Sequence, residues 1–300
     1  AYHLVNFDLY YPGATTYRKL PATNLLMTRG CPGKCTFCNS AKTTLRSRSP
    51  ASMVEQIKHL YHEYGIRQFQ FYDDTFTVLK KTCLEFCERL TAEKLDVSWI
   101  GFIRGDCFSD ELAQAMKRSG CHQVLVGVET GSPQIARRIG KSIDEERYRR
   151  AVEIAHRHGL EVRASFIIGS LGETWQTMKE SMDMALRLDF DFVQLFISTP
   201  YPGTAMYNEA VERGWLRAES WDAYGQARVL VEQPQISAET IYRFERLFNR
   251  RFYMRRKFAR RMLKRSLNPR HLRDYALAVP YLLVGTNADP LAGKWDCWEN

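Results

Sequence analysis

Three cysteines in the stretch Arg29-Gly30-Cys31-Pro32-Gly33-Lys34-Cys35-Thr36-Phe37-Cys38-Asn39 constrain this chain more than any other feature. They follow the apolar run Asn24-Leu25-Leu26-Met27, and Gly30, Pro32 and Gly33 let the backbone wrap closely around a bound group. Thiolates so spaced can converge on one iron–sulfur cluster, and a cubane cluster normally takes four. No fourth cysteine is nearby. One iron is then left for a ligand that is not protein. The competing reading is a structural zinc loop, which needs a second Cys or His pair to close its tetrahedron. His59 and His62 fall in a helical pattern without a cysteine beside them, and Cys83 and Cys87 are helically spaced.

From Asn24 onward, short apolar runs alternate with helical patterns, which is the mark of β/α units around a parallel sheet. Strands are expected at 24–28, 68–72, 98–103, 123–128, 162–168 and 192–198. Ser49-Pro50 opens a first helix with Met53, Ile57, Leu60 and Tyr64 on one face. Helices are also expected at 79–94, 110–118, 133–139, 144–158, 174–188 and 204–213. Six such units suit either a partial barrel or a doubly wound open sheet. In barrels the chemistry gathers at the carboxyl ends of the strands. Polar or glycine-rich segments stand there in nearly every unit: the cysteine loop, Asp73-Asp74, Arg104, Glu129-Thr130-Gly131-Ser132, Gly169-Ser170-Leu171-Gly172-Glu173 and Pro202-Gly203-Thr204.

Arg29–Asn39 resembles the signature of the radical S-adenosylmethionine (radical SAM) enzymes, and more narrowly of the subgroup that often carries a cobalamin-binding domain upstream. The likeness runs from about residue 20 to about 230. It implies a partial (β/α)6 TIM-like barrel, with Cys31, Cys35 and Cys38 holding a [4Fe–4S] cluster whose open iron takes the amino and carboxylate groups of S-adenosylmethionine (SAM). It places Phe37 near the adenine and Asp73 or Asp74 at the SAM amino group. Glu129 falls near the ribose and methionine portion, and Ile167 and Gly169 lie along the adenine, although Ser165 replaces the usual leading glycine. Arg104 and Arg163 are candidates for the SAM carboxylate, since arginine can bind it through two hydrogen bonds. Ordinary ion pairs or helix caps remain the structural alternatives for these polar residues.

The implied activity is reductive cleavage of SAM to a 5′-deoxyadenosyl radical for C–H activation, with methylation, cyclisation or rearrangement of a small-molecule, lipid or tetrapyrrole substrate as outcomes. A reducing partner such as flavodoxin or ferredoxin is implied as well. A tRNA methylthiotransferase and a zinc-stabilised RNA-binding module are the alternatives. The chain begins at Ala1 and reads as a fragment, so cobalamin would enter only through a missing N-terminal domain.

Residues 1–20 read as a lead-in, 21–232 as the core barrel and 233–300 as a basic helical region. Between 243 and 273, thirteen Lys and Arg face one acid, Glu245, while Ile241, Phe244, Phe248, Phe252, Phe258 and Met262 form a helical stripe. That pattern suits a helix packed on the barrel, a nucleic-acid surface or an anionic membrane surface. Much of the net charge of +9 therefore belongs to the tail, not the core. Eight cysteines with no signal peptide point to a reducing cytoplasmic setting, with Cys83, Cys87, Cys107 and Cys121 as small apolar groups.

Overall fold

A computed structural model describes residues 2–265, apart from 10, 11, 14, 75, 219, 226 and 227. In chain order the strands are β1 (Ala22–Leu25), β2 (Thr28–Arg29), β3 (Arg46–Ser47), β4 (Gln68–Phe71), β5 (Ser98–Ile103), β6 (Cys121–Glu129), β7 (Glu161–Ile168) and β8 (Phe192–Ile197). The helices are α1 (Pro50–Tyr64), α2 (Lys80–Ala92), α3 (Asp110–Arg118), α4 (Pro133–Arg138), α5 (Glu145–Arg157), α6 (Trp175–Arg187), α7 (Ala205–Glu212), α8 (Ala238–Tyr253) and α9 (Arg256–Arg265).

Six strands pair in parallel in the order β1-β4-β5-β6-β7-β8, which makes the expected α/β half-barrel and excludes a doubly wound sheet, whose strand order reverses. Alternation along the strands decides which side chains face inward. In β4, Phe69 and Phe71 are buried toward the helices, whereas Gln70 lines the lumen. Phe71, Phe86 and Trp99 form an edge-to-face aromatic wedge between sheet and helices, with centroids 5.3–5.8 Å apart. The lumen is a cavity of about 880 Å³ whose walls include Gln70, Phe102, Leu125 and Phe196.

The lead-in segment is used. It crosses the amino ends of the strands, where Thr16 accepts from Gln68 Nε2 at 2.8 Å and Gln68 Oε1 accepts from the Arg18 amide. The first strand starts two residues earlier than the alternation implies and stops at Leu25. Residues 28–29 instead form an antiparallel ribbon with 46–47, which closes the cysteine segment into a hairpin-like loop. No described helix is long and apolar enough to cross a membrane.

The basic stripe forms two helices, not one. The chain turns after Tyr253, which lets Phe258 pack at 4.9 Å from Tyr253 and 6.2 Å from Phe192. Ile241, Phe244, Phe248 and Phe252 are buried in the same core as the sheet. Lys257 and Arg261 pair with Asp189, and Arg261 also pairs with the buried Asp191. Residues 266–300, which carry the rest of the tail expectation, lie outside the described residues.

Phe248 is fully buried and 5.7 Å from Phe166. Phe248→Ala is expected to cost about 3–5 kcal/mol of unfolding free energy. Urea denaturation checks this; a loss below about 1 kcal/mol would mean that α8 contributes little to the barrel core.

Candidate cofactor site

The cysteine loop holds its shape by closing hydrogen bonds on itself. Thr43 accepts from the Cys31 amide at 3.0 Å and returns its own amide to the Cys31 carbonyl at 3.1 Å. Lys42 N–H reaches the Gly33 carbonyl at 2.8 Å. Gly30 has φ +92°, and a methyl group there would lie 2.3 Å from the Thr44 carbonyl oxygen, so only glycine fits. The Gly33 amide donates to Cys31 Sγ at 3.4 Å, the kind of contact that stabilises a ligating sulfur.

Two carboxylates fasten this loop to the neighbouring strand. Asp73, 3% exposed, accepts from the amides of Met27 and Thr28 and from the Thr28 hydroxyl. Asp74 accepts from the Gly30 amide at 2.7 Å and remains exposed at the rim. Asp73 is therefore committed to the loop. Its carboxylate meets the amides of residues 27 and 28 and the Thr28 hydroxyl.

On its other side the loop leans on α4 and α7. Thr36 donates its amide to Ile139 O and accepts from the Met206 amide, both at 3.0 Å. Phe37 is half-buried against a small cluster that includes Leu171, Met206 and Val231. Gly140, φ +70°, comes so close that a methyl group would sit 2.6 Å from Lys34 O.

The remaining strand ends complete the rim. Arg104 is locked in a two-point pair with Asp106 at 3.0 and 2.7 Å, which holds the Asp106 carboxyl down at about 2. Glu129, φ +69°, pairs with Lys141 at 3.1 Å. Ile167 is half-buried, and Gly169, φ +78°, packs against Ile241 of α8. The Gln233 side chain clamps the segment beyond them, accepting from Gly172 N at 2.7 Å and donating to Ser170 O at 3.0 Å.

Arg163 stands elsewhere. It occupies the third position of β7, about 16 Å along the strand from Ile168. There its guanidinium binds Gln123 Oε1 at 3.1 Å and Thr15 Oγ1 at 2.6 Å and lies over Phe192. The expectation that it meets a ligand at the mouth is corrected: an arginine this early in the strand points into the base of the lumen.

Cys31, Cys35 and Cys38 are free and half-buried. Burial raises the Cys35 and Cys38 thiols; Lys141 opposes it at Cys35, and backbone donors oppose it at Cys38. Among the described residues, no three Cys, His, Asp or Glu side chains converge on a point fit for one ion. A cubane takes each thiolate on a different iron, and three free cysteine thiols on one loop are the donor type that group takes.

Sequence reasoning missed Lys141, Gln233 and the floor contact of Thr15. Only Lys141 left a signal, as a cation directly after a helix-ending glycine, Gly140.

Residues 25–185 match the model of the radical SAM superfamily. The chain is 34% identical over 260 residues to an uncharacterized methyltransferase of Pyrococcus horikoshii, covering 86% of this chain and 56% of that protein. It is 25% identical over 270 residues to the bacteriochlorophyllide d C-12(1)-methyltransferase of Chlorobaculum tepidum, covering 88% and 58%. Among solved structures it is similar to the radical SAM methyltransferase TsrM of Kitasatospora setae, with a TM-score of 0.59 and 20% identity, covering 74% of this chain and 46% of that one. The chain thus spans little more than half the length of these curated relatives.

Glu173 gives the site region a pH dependence. It is fully buried, accepts from Ser170 N at 2.9 Å, and is pushed by burial to about 8. A carboxyl raised in the fold stabilises below its ordinary value and loses that contribution as pH rises toward 8. Wild-type stability is expected to fall between pH 5 and 8 relative to Glu173→Gln, by at most about 1.4 kcal/mol per pH unit. Parallel melting curves for the two proteins would contradict this.

Proposed function

The chain belongs to the radical SAM superfamily, and we propose that it is the catalytic core of a methyltransferase acting on a substrate with a largely apolar body. The observation that carries the reading is the trio Cys31, Cys35 and Cys38: free, half-buried, and held on the carboxyl rim of a parallel half-barrel. The methyltransferase names of the two curated relatives support the finer assignment. When bound, the cluster and SAM would supply one-electron reductive cleavage of the sulfonium, and a cobalamin of the kind bound in a solved TsrM structure would relay the methyl group.

The protein's own part is to bind, orient and exclude water. In this reading the three thiolates leave one iron for the amino and carboxylate groups of SAM. Asp74, exposed beside Gly30, accepts from the SAM amino group. Glu129 takes the ribose hydroxyls, as carboxylates do in dinucleotide sites. Phe37, Ile167 and Gly169 flank the adenine. Arg104, already paired with Asp106, would reach the SAM carboxylate only by exchanging partners. Asp73 acts one step back, through the loop.

The lumen, about 880 Å³, has the size of a small-molecule site and mixes apolar walls with carboxamides, including Gln70 and Gln194. Likeness to a bacteriochlorophyllide methyltransferase supports a tetrapyrrole or similarly flat, apolar substrate. Exposed Arg29, Lys42 and Arg46 border a groove beside the cysteine loop, which suits an acidic electron donor such as flavodoxin or ferredoxin. Residues 21–232 would form the catalytic unit, with the described tail helices buttressing it. Burial of the aromatic stripe in the core argues against α8 as a free nucleic-acid or membrane helix.

Anaerobic reconstitution tests the reading. Wild-type protein is expected to hold about four irons per chain, to turn brown, and to cleave SAM when reduced. Cys35→Ala should lose SAM cleavage while keeping the wild-type circular dichroism spectrum. SAM cleavage retained in that variant, or one tightly held zinc in the wild type, would overturn it.

A further inference from the structure

We propose that Gln70 is a specificity-determining residue of the lumen: its side-chain amide donates to a carbonyl or carboxylate oxygen at the inner end of a flat, apolar substrate. The inference rests on the reading that the lumen receives the substrate.

Strand alternation builds the wall. Gln70 is the third residue of β4, and the parallel register puts Asn24 of β1 on one side of it and Ile100 of β5 on the other. All three line the cavity, and Phe102 and Leu125 continue its apolar face. Gln70 is 4% exposed. It stands three residues, about 10 Å of extended chain, before Asp73, which ties down the cysteine loop. A group held by Gln70 is therefore well inside the barrel, below the cysteine-bearing rim.

Two other buried glutamines near the base of the barrel have both ends of their carboxamides engaged. Gln68 gives Nε2 to Thr16 O at 2.8 Å and takes the Arg18 amide on Oε1 at 2.7 Å. Gln123 gives Nε2 to Thr15 O at 3.0 Å and takes Arg163 Nε on Oε1 at 3.1 Å. Gln70 differs. Its Oε1 accepts from the Tyr72 hydroxyl at 3.1 Å, while its buried Nε2 meets no partner. Tyr72 leans on Phe102, with ring centroids 6.1 Å apart, so the oxygen end of the amide is held from the mouth side. A donor buried without an acceptor is unfavourable, and on a cavity wall it marks where a bound molecule completes the hydrogen bonding.

The rest of the lining says what that molecule is. Among the described residues no Asp or Glu lines the cavity, so no carboxylate there competes for the amide or repels an anionic oxygen. Ile100, Phe102, Leu125 and Phe196 suit a flat hydrocarbon body. A site that offers such a body one buried donor discriminates against the analogue lacking the matching oxygen. The opposite edge of the substrate is then left at the rim, so Gln70 also decides which end faces the cofactors.

Equilibrium dialysis of the reconstituted protein against three naphthalenes of one body tests this: 2-naphthoate, 2-acetylnaphthalene and 2-ethylnaphthalene. The ketone should bind about fivefold and the carboxylate about tenfold more tightly than the hydrocarbon. Gln70→Met, which keeps the volume and removes the donor, should bring all three to the affinity of the hydrocarbon. Gln70→Glu should weaken 2-naphthoate most. Leu125→Trp, which fills the lumen, should abolish binding of the whole series. Equal affinities in the wild type, or a preference that survives Gln70→Met, would overturn the inference, and the wild-type comparison stands without any variant. Absence of binding by all three, or binding that survives Leu125→Trp, would overturn the lumen reading and the inference with it.

Discussion

A buried carboxylate holds this site together. Asp73, at the end of β4, accepts hydrogen bonds from the Met27 and Thr28 amides and the Thr28 hydroxyl. Removing a carboxylate from water is costly unless several donors meet it. Here desolvation raises the Asp73 carboxyl and the donors from residues 27 and 28 pull it back. The result is a tie between the end of one barrel strand and the first residues of the cysteine loop. Its neighbour Asp74 repeats the arrangement one step outward, at Gly30.

With that tie in place, the rest of the rim follows from backbone that lacks side-chain bulk. Gly30 admits the Thr44 carbonyl, Gly140 admits the Lys34 carbonyl, and Gly127 admits the Glu129–Lys141 pair. At each position a methyl group would overlap its neighbour. The cysteine loop is thereby clamped on two sides, by the β4 carboxylates and by the cap of α4. The loop that carries the three cysteines is ordered by its own contacts, and such preorganisation lowers the ordering cost of binding.

Much of the architecture was legible because the physics is local. Short apolar runs, as at 68–72, and helical stripes, as in Met53-Ile57-Leu60, are set by local sequence, and both kinds of element appear within a few residues of their expected bounds. The failures were long-range. The donors that hold Asp73 lie 45 and 46 residues earlier in the chain, beyond the reach of any local pattern. Arg163 was misplaced because strand depth, not residue type, decides whether a side chain reaches the mouth or the floor. The single tail helix divided at Tyr253 because Phe258 gains aromatic neighbours by turning back.

The central claim is that three sulfurs leave one corner of a cubane for SAM. Mössbauer spectroscopy of 57Fe-reconstituted protein with and without SAM tests it most directly. The account predicts that SAM changes the signal of one iron in four and leaves the other three unaltered. Spectra that are identical with and without SAM would contradict it.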